Sequence, residues 1–130
     1  MARIIGFGGV FLKARDPEKL KKWYVEVLGA PLTPEGYVVF SDDPQRPAYA
    51  VWSAMDETTT YFAPSEKDFM INFRVDDMAG MLERLRQAGV EVLGEEKLDY
   101  GHFAWVMDPE GTKVELWEPR TETFKEQNSL

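Results

Sequence analysis

The stretch DPEGTKVELWEP, Asp108 to Pro119, places a carboxylate between two apolar residues: Glu115 stands between Val114 and Leu116. Turn-forming residues followed by an alternating run predict a tight turn and then a strand. A carboxylate in a half-buried strand is costly without a partner. Glu115 therefore faces solvent, pairs with a cation, holds a metal ion or meets a ligand. His102, the single histidine, is the other residue suited to proton transfer near neutral pH. Its place beside Gly101 near a loop fits an exposed side chain equally well. The absence of cysteine removes thiolate nucleophiles and cysteine metal sites together. The Gly6 to Gly9 stretch lacks the following helix that a phosphate loop needs. Neither a Ser-His-Asp set nor a basic patch stands out.

The elements that must position these residues follow a repeating order. Gly8 to Ala14 reads as a strand. Asp16 and Pro17 then open a helix, as cap and first residue. Leu20, Trp23, Tyr24, Val27 and Leu28 give that helix an apolar face, and Gly29 closes it. Strands are expected over Gly36 to Phe40, Tyr49 to Ser53 and Thr58 to Phe62, with a proline-bearing loop from Asp42 to Pro47. The order then recurs. Phe69 to Val75 alternates as a strand, and Asp76 opens a helix carrying Met78, Met81, Leu82 and Leu85, closed by Gly89. Val90 to Leu93 is short and extended, and Glu95-Glu96-Lys97 reads as a solvated loop. Gly101 to Met107 and Thr112 to Trp117 form a hairpin around Asp108 to Gly111. Asp16 and Gly29 have the same spacing as Asp76 and Gly89, which marks an internal duplication of a βαβββ unit. The fold class expected is α+β, in one domain of two units, about 4–64 and 67–119, followed by a polar, frayed tail over 120–130.

Composition agrees with one packed domain. The chain has 130 residues, 44% of them hydrophobic and 13% aromatic, enough for a core. No apolar run approaches the roughly 20 residues of a membrane span, and the N-terminus lacks the long apolar stretch of a secretory signal. A cytoplasmic location is expected. The net charge of −8, from 15 Lys+Arg and 23 Asp+Glu, opposes binding to nucleic acid or anionic membrane.

The duplicated βαβββ order, DPEKLKKWYVEVLG in the first half, FRVDDMAGMLERLRQAGVEV in the second and DPEGTKVELWEP at the end together resemble the vicinal oxygen chelate superfamily. Its members include glyoxalase I, bleomycin-resistance proteins and extradiol dioxygenases. The resemblance covers about residues 4 to 119. It implies a cupped mixed sheet, completed as a homodimer, and a small-molecule ligand or substrate. Metal-using members draw one ligand from each of four strands. The matching positions here are Gly9, Met70 and Glu115, with the fourth near Tyr61. Glycine offers no ligand and a thioether suits hard or borderline ions poorly. No metal and no other cofactor is therefore expected.

If positions 9 and 70 face the cup, strand alternation carries Phe11, Lys13, Asn72 and Arg74 with them. Counting across the turn sets Glu115 opposite Ala104, so that His102, Ala104, Val106, Lys113 and Trp117 share its face. Phe11, Lys13, Met70, Asn72, Arg74 and Trp117 are then candidate ligand contacts. Glu115 and His102 are the catalytic candidates, with Glu115 alternatively paired to Lys13 or Arg74. Two functions follow: a metal-independent binder of a small, cationic or aromatic molecule, or a glyoxalase- or dioxygenase-like enzyme using Glu115 as base or metal ligand.

Overall fold

The computed structural model describes residues 2–130. Its elements run α1 (Pro17–Leu28), β1 (Ile71–Arg74), α2 (Met78–Gln87), β2 (Gly94–Leu98), β3 (Gly101–Met107), β4 (Lys113–Pro119) and α3 (Thr121–Gln127). The four strands form one mixed sheet in the order β1-β4-β3-β2. β1 runs parallel to β4, and the other pairs are antiparallel. This is the α+β architecture expected, with α1 and α2 on one face of an open sheet.

Local chemistry explains the helices. The Asp16 side chain accepts from the Lys19 N–H at 3.1 Å, and Pro17 fills the first helical position of α1. At the other end Gly29 takes the left-handed conformation (φ 73°), donating to Val25 O at 3.1 Å while Ala30 N donates to Tyr24 O at 3.0 Å. That double bond is the closure a C-terminal glycine allows. α2 is capped by Asp77, not Asp76, through Gly80 N at 3.1 Å. Glu118 on β4 caps it a second time, accepting from Met78 N at 2.8 Å.

Val27, Met78, Leu85, Ala104, Val106, Val114 and Leu116 form the core between helices and sheet. The first-half helix is thus bound to the second-half sheet. Tyr24 Oη donates to Asp108 Oδ2 at 2.7 Å, and Glu110 accepts from the backbone amides of Arg15 (2.8 Å) and Asp16 (3.3 Å). Burial, then the bond to Asp108 and its charge, push the Tyr24 hydroxyl pKa upward.

Several expected elements differ. The runs Gly8–Ala14, Gly36–Phe40, Tyr49–Ser53 and Thr58–Phe62 are not strands; the first half holds only the isolated bridge Leu32–Val38. Among the described residues, the backbones of 2–14 and 47–55 make no hydrogen bond to other backbone groups. A strand exists only by pairing, and these runs find no neighbour within one chain. Residues 58–62 instead follow a turn in which Asp56 Oδ1 accepts from Thr58 N at 2.9 Å. The short strand expected at Val90 to Leu93 forms later, as β2, and absorbs Glu95-Glu96-Lys97. A charged run suits an edge strand. The tail is not frayed throughout: α3 forms, and Phe124 packs edge-on to Trp117 at 5.2 Å between ring centroids.

Candidate functional site

Glu115 lies on the sheet face opposite α1 and α2. Val114 and Leu116 point into the core, so alternation sends Glu115 the other way. Its neighbour across β1 is Asn72, and across β3 it is Trp105. Both side chains turn onto the carboxylate. Asn72 Nδ2 donates to Oε1 at 2.7 Å, and Trp105 Nε1 donates to Oε2 at 2.7 Å. The hydroxyl of Tyr61, from the turn-rich segment above the sheet, donates to Oε2 as well. Glu115 is only 8% exposed, yet three neutral donors meet its lone pairs. Among the described residues it has no ion-pair partner. The expected pairing with Lys13 or Arg74 is replaced by dipoles, which satisfy a buried acceptor without bringing in a second charge.

Lys113 roofs this corner. Its Nζ sits 5.1 Å from the centroid of the Tyr61 ring and 5.8 Å from that of Trp105, and donates to Tyr61 O at 2.6 Å. Burial lowers its pKa, against the opposing pull of the Glu115 charge. The Tyr61 hydroxyl is pushed upward, first by burial and then by its bond to Glu115 and the charge there.

Beside the carboxylate runs an aromatic floor. Phe103 lies nearly parallel to Trp105 (6.3 Å, 14°) and to Trp117 (5.9 Å, 6°). Phe103 and Trp117 are direct cross-strand partners, and the Trp117 indole N–H donates to Tyr100 O at 3.2 Å. Phe124 of α3 and Tyr49 cover the Trp117 end, their rings 5.9 Å apart. Arg74 holds Tyr49 O at 2.9 Å. The face therefore has an aromatic middle, a polar corner at Glu115 and a covered end at α3.

Of the candidate residues, Asn72, Arg74, Lys113 and Trp117 share the Glu115 face. Met70 lies just before β1 and is half-buried. Phe11 is 96% exposed, and together with Lys13 it lines a separate groove with Lys67 and Phe69, about 490 Å³ in volume. His102 is a correction. It pairs across the sheet with Glu118 and bonds to Glu95 Oε1 at 2.7 Å, on the side away from Glu115. Ala104 and Val106 likewise belong to the core. The cause is one residue of register. Asp108 N donates to Thr112 O, leaving a three-residue loop whose Gly111 is left-handed (φ 83°). Glu115 thus faces Trp105 rather than Ala104, and a one-residue slip exchanges every side chain between faces. Trp105 and Phe103 were missed for that reason alone. Gly at the last position of a three-residue loop is the signal that finds them.

A metal centre in this fold needs converging donors. Around Glu115 stand an amide, an indole, a phenol and an ammonium, and among the described residues no three His, Cys, Asp or Glu side chains come together. Neither indole N–H nor ammonium donates a lone pair to a metal, so the residues present do not fit one.

The sheet order and helix layer match solved structures of the glyoxalase/bleomycin resistance/dioxygenase superfamily. The chain belongs to the glyoxalase-like domain family, whose model matches residues 9–117. Among solved structures it resembles an antibiotic-binding protein from Streptomyces sp. CB03234, at 25% identity and TM-score 0.50, over 82% of this chain and 88% of that one. A glyoxylase/bleomycin resistance protein/dioxygenase domain from Frankia sp. EAN1pec shares 21% identity and TM-score 0.55, over 91% and 100%. Lactoylglutathione lyase from Agrobacterium tumefaciens shares 22% identity and TM-score 0.50, over 82% and 88%. No curated protein gives a significant sequence match. No helix among the described residues is long and apolar enough to cross a membrane.

Proposed function

We propose that the protein is a metal-independent binder of a small, flat, partly aromatic molecule, working as a cytoplasmic homodimer of two-unit chains. The observation that carries this reading is the engagement of Glu115 by three neutral donors beside the Trp105–Phe103–Trp117 floor. A general base or metal ligand needs free oxygen lone pairs, and here three of the carboxylate's four lone-pair sites are taken, Oε1 keeping one. His102, the other candidate for proton transfer, lies on the opposite face. Parallel rings beside convergent polar groups are the usual makeup of a small-molecule site. The likeness to an antibiotic-binding protein adds support.

The homodimer rests on the unpaired runs 2–14 and 47–55 and on the bare edges of β1 and β2. Exposed apolar runs and open sheet edges call for cover. The test of function has two arms. Planar aromatic compounds, 2-naphthol first, should quench the tryptophan fluorescence saturably. Elemental analysis of the purified protein should find far less than one divalent ion per chain. A stoichiometric metal, or no response to any of a panel of such compounds, would overturn the reading.

A further inference from the structure

Lys113 is held in a setting usually reserved for a ligand. Its ammonium lies over the Tyr61 ring at 5.1 Å and the Trp105 ring at 5.8 Å, and reaches the Tyr61 carbonyl at 2.6 Å. Below it is the Glu115 carboxylate, which has no cation of its own among the described residues and is tied to both rings through Oε2. Glu96, on the same sheet face opposite Phe103, adds a second negative charge near Tyr61. Two aromatic faces, a carbonyl and a carboxylate converging on one point form a cation cage.

We propose that this corner is the receptor for an organic cation on the ligand, and that Lys113 occupies it as a stand-in while the protein is free. The inference deepens the small-molecule reading above and rests on it. Lysine is a poor permanent occupant for two reasons. A primary ammonium is strongly hydrated and loses much by partial burial, as the downward pull on its pKa records. It is also tethered by a flexible stem that can swing out to water. A quaternary ammonium sheds its hydration at lower cost and keeps the attraction to both rings. Exchange therefore sets one carbonyl contact of Lys113 against a better-matched cation. Phe103 and Trp117 are already covered by Tyr100 and Phe124, so the half-buried Trp105 ring would take the flat part of the same ligand, and the site selects a molecule with a ring system and a cationic arm.

The test uses choline chloride as the cation, 3,3-dimethylbutan-1-ol as its neutral isostere and sodium chloride at matched ionic strength. The readout is the Trp105 indole N–H resonance of the intact chain. Choline should shift that resonance saturably, and the isostere should bind at least tenfold more weakly. Lys113→Ala, which empties the cage, should tighten choline at least fivefold. Equal binding of choline and isostere, or equal choline affinity in wild type and K113A, would overturn the proposal. Should K113A not fold, the comparison of choline with isostere on the wild type decides by itself. If 2-naphthol binds while choline does not, the cage is wrong and the small-molecule reading stands; if neither binds, both fall.

Discussion

Residues 67–119 and residues 4–64 carry the same succession of signals, yet they behave differently within a single chain. In the second stretch a strand, a capped helix and three further strands close into a sheet. In the first the helix forms and docks, while the flanking apolar runs stay unpaired. Helix caps act within one turn, so Asp16 and Asp77 work alike in both halves. Strands depend on a partner brought close by the connection. The second half supplies one through a three-residue loop that lets β3 and β4 pair over their full length. The first half joins its runs through Pro31, Pro34, Pro44, Pro47 and Pro64, and proline cannot donate to a ladder. Its apolar runs therefore stay without a strand partner in the chain.

The comparison breaks first at the unpaired runs. Phe11 and Trp52 are 96% and 80% exposed, so charging both costs a lone chain little. The double variant F11E/W52E should weaken self-association at least hundredfold, about 2.7 kcal/mol, read by light scattering at micromolar concentration. A wild type that scatters as a monomer there would remove the basis for the difference.

The second half can be attacked at its tightest point. A Cβ on Gly101 would lie 2.2 Å from Trp117 Nε1 and 2.9 Å from the Glu118 carbonyl, at φ 157°. Gly101→Ala should cost about 2 kcal/mol in denaturant unfolding, from overlap and backbone strain together. An unchanged midpoint would mean the aromatic floor is looser than it looks.

The smallest effect sharpens the link between halves. Tyr24→Phe removes the bond from α1 to Asp108, at a cost of about 1 kcal/mol near pH 7. The sign of its pH dependence follows from the raised pKa of this hydroxyl. The folded protein holds the phenol proton more tightly than the unfolded chain, so the stabilisation is intact below about pH 10. It is then lost at about 1.4 kcal/mol per pH unit as pH rises above that toward the folded pKa. Y24F should be less stable than wild type at pH 7 and fall more gently above pH 10; parallel curves would detach Tyr24 from the alkaline transition.

What could be read from the sequence follows the range of each interaction. The helices α1 and α2 and the β3–β4 hairpin were legible because their signals are local: cap, apolar stripe, terminal glycine, turn. The inward carboxylate was legible because Val114 and Leu116 flank it. Its partners were harder. Asn72 and Tyr61 reach Glu115 from 43 and 54 residues away along the chain, and Trp105 was hidden by the single residue between a four- and a three-residue loop. The covering role of Phe124 had no local signal, since one aromatic in a polar tail forms no pattern.

The charged run Glu95-Glu96-Lys97 has a bearing on growth. It lies on β2, at one margin of the sheet, where added strands would have to stack against ionised side chains. The other margin, β1, reads Ile71-Asn72-Phe73-Arg74 and carries no such run. A sheet blunted on one side and receptive on the other extends in one direction only. Two such sheets joined at their receptive margins leave blunt margins at both ends, and polymerisation stops there. A chain with this much exposed apolar surface thereby has a route to a finite assembly instead of a fibre.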